Sequence, residues 1–234
     1  MSEDHRLNGD ERADSNKGGF PGMPVASAAV QHAAGARYSL PGNFSGAAFN
    51  MDNLQTFKAV AHSGGFKACE HLWPVLTTAI KATSDREQQC LAAEMIAGLV
   101  RGSIGWEGEY ATSLRDKVSP LLAEALQGAS PESLPYWMDC LRHIAIQKDP
   151  RRLSWIVTTV ASLSSDDSQG SPAQLRALKL FKALAIEFGW RGTVLFTACA
   201  PTMRRLMAGE SKSVREEAAR CLCILSRATQ PLPR

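Results

Sequence analysis

Long apolar runs are missing from this 234-residue chain, and no stretch approaches the ~20 residues that a membrane-spanning helix needs. A strong charge of one sign is missing too. The 26 Lys and Arg against 23 Asp and Glu leave a formal +3, far from the clustered basicity of a nucleic-acid groove. Neither a membrane nor direct contact with nucleic acid is expected. The opening MSEDHRLNGDERADSNKGG holds acidic residues and no apolar centre, so it reads as neither a secretory signal nor an acidic-poor transit peptide. A soluble, intracellular chain is the expectation. Cysteine is sparse and irregularly spaced, at 69, 90, 140, 199, 221 and 223, which offers no disulfide framework and reads as thiols. What is present is 44% apolar residues, enough to bury one core, or one continuous core shared along stacked units.

The chain divides by composition. Residues 1–50 hold Gly9, Gly18, Gly19, Gly22, Gly35, Gly42 and Gly46 with Pro21, Pro24 and Pro41. Only VASAAVQHAAGA offers a turn or two of helix there, so a mostly disordered arm is expected. From residue 52 to 228 one amphipathic helical pattern follows another, with no sustained apolar/polar alternation of the strand type. Residues 229–234 form a short tail. The fold class is all-α.

Helix starts set the period. Ser84 with Glu87 and Ser213 with Glu216 have the S-x-x-E spacing of a capping box. Ser130-Pro131, Asp149-Pro150 and Ser171-Pro172 place a capping oxygen before a proline whose missing N–H is harmless at the first helical position. Starts at 84, 130, 171 and 213 lie 46, 41 and 42 residues apart. An intervening set near 107, 149 and 190 has gaps of 42 and 41. This is the roughly 40 to 47-residue period of HEAT and armadillo units, each a helix pair that cannot bury its apolar face alone. The expected architecture is an α-solenoid of about eight helices.

One helix illustrates the pattern. In SKSVREEAARCLCIL, Val214, Ala218, Cys221, Leu222 and Leu225 form one apolar stripe, opposite Arg215, Glu216, Glu217, Arg220 and Arg227. Glu216 and Arg220 are an i,i+4 pair in the favourable order. SDREQQCLAAEMIAGLVRG repeats the design with Leu91, Met95 and Leu99 beside Ala92, Ile96 and Val100.

Few residues suggest chemistry. Cys221 and Cys223 are two apart, which on a helix points them about 200° apart, and Cys69 with His71 shares that geometry; a zinc pair is not expected. Cys140 and His143, at i,i+3, could bring a nucleophile to a base, yet no orienting acid or oxyanion loop is recognisable nearby. Core packing is the expected role of the thiols, and no catalytic, cofactor or metal site is expected. RGSIGWEGE and HSGGF lack the phosphate-loop pattern and read as turns, with Gly102 ending a helix. Trp106, Tyr136, Trp137, Trp155 and Trp190 fall near helix ends, where rings seal the space between units. Arg204 and Arg205 end a helix, where cations suit the dipole. Lys148, Arg151 and Arg152 instead flank a helix start, against the dipole's preference, and are the candidate contact for an acidic partner surface or a phosphate.

LWPVLTTAI (72–80), CLAAEMIAGLVRGS (90–103), PYWMDCLRHIAIQKDPRRLSWIV (135–157) and KSVREEAARCLCIL (212–225) together resemble the C-terminal part of the proteasome activator complex subunit 4 family. The A-E-x-I-A-G-L-x-R-G-S and D-P-R-[RK]-L-x-W blocks carry most of that specificity, and the resemblance covers about residues 66–228. It implies a non-enzymatic HEAT-repeat segment whose partner is the proteasome core particle, whose gate the family opens without ATP or ubiquitin, in nucleus and cytoplasm. It also implies inositol phosphates and acetylated histones as partners of the full-length family, with no residue here matched to either. The family's hydrophobic-tyrosine-any C-terminal anchor has no counterpart: the sequence ends ATQPLPR and its last tyrosine is Tyr136. A generic HEAT scaffold for another protein partner is the alternative.

Overall fold

A computed structural model describes residues 49–146, 150–165, 170–188 and 193–229. The arm up to residue 48 and the tail beyond Thr229 lie outside the described residues. Within them every regular element is helical: α1 (Met51–Cys69), α2 (Leu72–Lys81), α3 (Arg86–Gly102), a 3-10 turn (Ser103–Gly105), α4 (Gly108–Gly128), α5 (Leu134–Ala145), α6 (Pro150–Ser165), α7 (Gly170–Phe188), α8 (Thr193–Met207) and α9 (Lys212–Thr229). That is nine α-helices among the described residues, close to the expected eight; α1 and α2 both precede the first start counted, at residue 84.

The helices form two layers. In one, α2, α4, α6 and α8 stack in succession; in the other, α1, α3, α5, α7 and α9 do so. The layers also meet, α2 on α3, α6 on α7 and α8 on α9, so each neighbouring pair supplies a face that the next pair covers. This is the expected α-solenoid, and one apolar core runs along it from Phe49 to Leu225. In α9, Val214, Ala218, Cys221 and Leu225 are buried as the stripe requires. Fully burying each Val or Leu contributes about 1.5–3 kcal/mol.

The helix caps depart from expectation by a residue or more. Asp85, not Ser84, caps α3: its Oδ1 accepts from the amides of Glu87 at 3.0 Å and Gln88 at 3.1 Å. A carboxylate there also suits the positive helix end. Ser130 does cap, but as half of a reciprocal pair. Its Oγ accepts from the Ser133 amide at 3.2 Å while Ser133 Oγ accepts from the Ser130 amide at 2.9 Å; one turn passes before regular helix begins at Leu134. In α9 the Ser211 carbonyl accepts the first helical bond, from the Arg215 amide at 3.0 Å, so the helix starts ahead of Ser213. Glu216 then faces Lys212 and Arg220, each at 3.9 Å. Ser171 lies inside the first turn of α7 rather than before it, while Pro150 opens α6 as expected.

Gly102 is the last residue of α3, where a helix end was expected. Its φ of −72° is ordinary helix, not the left-handed turn of a terminator. What it permits is contact: a Cβ there would lie 2.3 Å from the Lys58 carbonyl oxygen and 2.6 Å from Ala61 Cβ. Gly98, one turn earlier, would place a Cβ 2.6 Å from Phe57 Cβ and 2.8 Å from the Leu54 oxygen. The backbone of α1 therefore rests directly on α3. Ala92 to Val100 are all buried, because small residues let the neighbouring helices close over this helix on every side.

Candidate functional site

Three polar junctions tie the layers together, and each is a candidate because buried polar groups must be satisfied. At the first, Gln89 of α3 is 1% exposed. Its Nε2 donates to the carbonyls of Ala79 at 3.0 Å and Ile80 at 2.8 Å, and its Oε1 accepts from Trp137 Nε1 at 3.1 Å. It thereby closes the C-terminal end of α2, whose last carbonyls have no helical partners, and joins α2, α3 and α5. Beside it Arg86 donates to the Tyr136 hydroxyl.

At the second, Glu94, 2% exposed, accepts from the Asn50 amide at 2.6 Å, Asn53 Nδ2 at 2.8 Å and Cys90 Sγ at 3.2 Å. These bonds pin the start of α1 onto α3. Burial raises the Glu94 carboxyl above its ordinary value, and the bonds from Asn53, Asn50 and Cys90 only partly oppose that.

At the third, Glu217 of α9, 3% exposed, pairs with Lys182 of α7 and accepts from Arg220 Nη1 at 2.8 Å. Burial pushes its carboxyl up, but hydrogen bonds from Lys182 and Arg220 and their charges hold it below the ordinary value. The sign follows. A depressed carboxylate stabilises the fold above its unfolded pKa, and that stability is lost as pH falls through the folded value. Glu217→Gln is therefore expected to lower stability at neutral pH and to flatten the loss of stability on acidification below about pH 5, measured by urea melts at stepped pH. An unchanged acid limb would refute the assignment.

The residues singled out from sequence for chemistry do not assemble. Cys140 is fully buried and its thiol is pushed far up by burial, so it supplies no thiolate. His143 stacks on Phe49, centroids 4.9 Å apart, with Nδ1 buried and unpartnered; burial, then Arg101, lower its pKa. Cys69 and Cys221 are pushed up to about 12 and Cys199 to about 11, burial first in each case. Cys221 is buried and Cys223 exposed, on opposite faces as the spacing requires. Among the described residues no group of three or more His, Cys, Asp or Glu could hold a metal ion, and no helix is long and apolar enough to cross a membrane.

The rings do seal the units. Phe66 lies 6.4 Å from Trp73, 5.9 Å from Trp106 and 6.2 Å from Tyr110, filling the space between the α1–α2 turn and the α3–α4 turn. Trp137 is fully buried and Tyr136 nearly so. Trp190 lies outside the described residues.

The basic trio is divided. Lys148 lies outside the described residues. Arg151 and Arg152 occupy the first turn of α6, at the edge where the chain passes from the α5 layer to the α6 layer. Farther along α6, Ser154, Thr158 and Ser162 are exposed, and on its other side Thr159 meets Ser119 of α4 at 3.0 Å. Arg204 and Arg205 stand in the last turn of α8, as the dipole favours.

The arrangement is thus a layered stack with structural polar junctions, and sequence comparisons agree with its architecture. A family model described as proteasome activator complex subunit 4-like, HEAT repeat-like, matches residues 45–176, more than half of the chain. The proteasome activator complex subunit 4 of Bos taurus is 26% identical over 168 residues, 72% of this chain and 9% of that protein. The Homo sapiens protein aligns with the same identity and coverage, and subunit 4B of Danio rerio is 24% identical over 168 residues. The chain thus spans only 9% of the length of the bovine and human relatives. With the repeat period, the two-layer stack and a family match that runs from α1 into α7, the chain belongs to the proteasome activator complex subunit 4-like HEAT-repeat family.

Proposed function

We propose that this chain is a non-enzymatic segment of a HEAT-repeat proteasome activator, acting in nucleus and cytoplasm by binding the end ring of the proteasome core particle and favouring its open gate without ATP or ubiquitin. The family match over residues 45–176 carries this reading, and the relatives' own description as proteasome activator subunits supports it. A surface that opens a gate must bind the open state better than the closed one, since a ligand shifts an equilibrium only through differential affinity. A continuous helical stack suits that task by presenting a large, fixed surface.

The contact assigned to this reading is the basic edge of Lys148, Arg151 and Arg152, facing acidic or phosphate groups. Purified core particle is incubated with the chain, and with the chain extended by a hydrophobic-tyrosine-any tail; capture and peptide hydrolysis are read together. Capture with faster hydrolysis is expected in the extended form. The Arg151→Glu, Arg152→Glu double variant should weaken capture roughly tenfold or more at unchanged helicity. Unchanged capture by the variant would remove the basic edge. No capture in any form, from a folded chain, would favour a HEAT scaffold for another protein.

A further inference from the structure

The α6 sequence, PRRLSWIVTTVASLSS, contains no acidic residue, and its only cations are Arg151 and Arg152. They stand three and two residues ahead of Ser154, which is exposed. Arg-Arg-any-Ser occurs nowhere else in the sequence. Its chemistry is specific: two guanidinium groups at that distance before a hydroxyl fit a substrate groove lined by carboxylates, through paired charge-assisted bonds that lysine or a lone charge does not reproduce. Farther along α6, Ile156, Val157 and Val160 are 0%, 5% and 0% exposed. The turn from Pro150 to Ser154 can therefore open, as helix ends do, without drawing those side chains from the core.

We propose that Ser154 is a phosphorylation site for a basophilic serine kinase, and that the phosphate switches off the basic edge at the start of α6. Ser154 Oγ bonds to the γ-phosphorus of ATP as the bond to the β,γ-bridging oxygen breaks; ADP leaves and the hydroxyl proton passes to the kinase's catalytic carboxylate. The added charge of about −1.5 to −2 offsets the two arginines, and Arg151, three residues back on the same helix, has the i,i+3 spacing of an ion-pair partner. The switch rests on the reading of Arg151 and Arg152 as an anion contact, whereas the modification does not.

The test uses the full chain with ATP and the catalytic subunit of cyclic-AMP-dependent protein kinase as the probe enzyme, read by intact mass and site mapping. One phosphate on Ser154 is expected, abolished by Ser154→Ala and slowed roughly tenfold or more by Arg152→Ala, with circular dichroism confirming that both variants fold. No incorporation, or equal incorporation into Ser154→Ala, overturns the site. The phosphorylated chain should lose as much capture by core particle as the Arg151→Glu, Arg152→Glu variant. Capture lowered by charge reversal but not by phosphate overturns the switch. Capture lowered by neither overturns the anion contact, and the switch with it, while incorporation still decides the modification.

Discussion

Gly102→Ala should detach α1 from the solenoid. The added methyl would sit 2.3 Å from the Lys58 carbonyl oxygen, a backbone atom fixed within α1 that cannot rotate aside as a side chain would. The helices must separate by about an ångström, which opens the packing of Phe57 and Ala61, 3% and 0% exposed. Overpacking of this kind costs about 1–3 kcal/mol, and in a stack where each unit touches only its neighbours the loss falls on one interface. The expected readout is local: hydrogen exchange rises across α1 and at its Glu94 contacts, while α7 to α9 keep their protection. Gly98→Ala should act in the same direction, its methyl 2.6 Å from Phe57 Cβ. Gly105→Ala is the control, since nothing lies within 4 Å of a Cβ there. Equal protection of α1 in the Gly102 and Gly105 variants would sink the close-contact argument.

These glycines show where sequence reading reaches its limit. The repeat period was legible because it is written locally: proline and capping residues mark each start, and apolar stripes such as Val214, Ala218, Cys221 and Leu225 mark each buried face. The exact caps slipped because neighbouring acceptors compete, and Asp85 outbids Ser84 with a full charge. Gly98 and Gly102 stand four apart in plain view, but nothing local says that another helix lies across them, so only the helix-ending role of Gly102 was legible. Glu94 and Gln89 lie outside the apolar positions that the sequence marks on α3. They are buried because α1, α2 and α5 arrive from elsewhere in the chain, a fact of tertiary packing. For the same reason the i,i+3 spacing of Cys140 and His143 could not say that the thiol would be buried and the imidazole stacked on Phe49.

Gln89→Met is expected to be the most damaging change that preserves side-chain volume. Methionine fills nearly the same space and keeps the helix propensity of α3, so packing and helix formation are held constant while the amide is removed. Left behind are the Ala79 and Ile80 carbonyls and the Trp137 indole N–H, the last on a fully buried ring. Each unsatisfied buried group costs about 1–3 kcal/mol, and a total near 3 kcal/mol is expected, seen as a fall in the midpoint of urea denaturation with an unchanged slope. The origin of that loss can be separated from simple misfit. Trp137→Phe removes the indole donor, so adding Gln89→Met in that background abandons one group fewer and should cost about 1 kcal/mol less than in the native sequence. Full additivity, within about 0.3–0.5 kcal/mol, would mean that the indole bond contributes nothing to joining α3 and α5. Coupling of the expected size would make this one amide the joint between the first complete helix pair and the next, the place where the solenoid's two layers and its direction of stacking are fixed together.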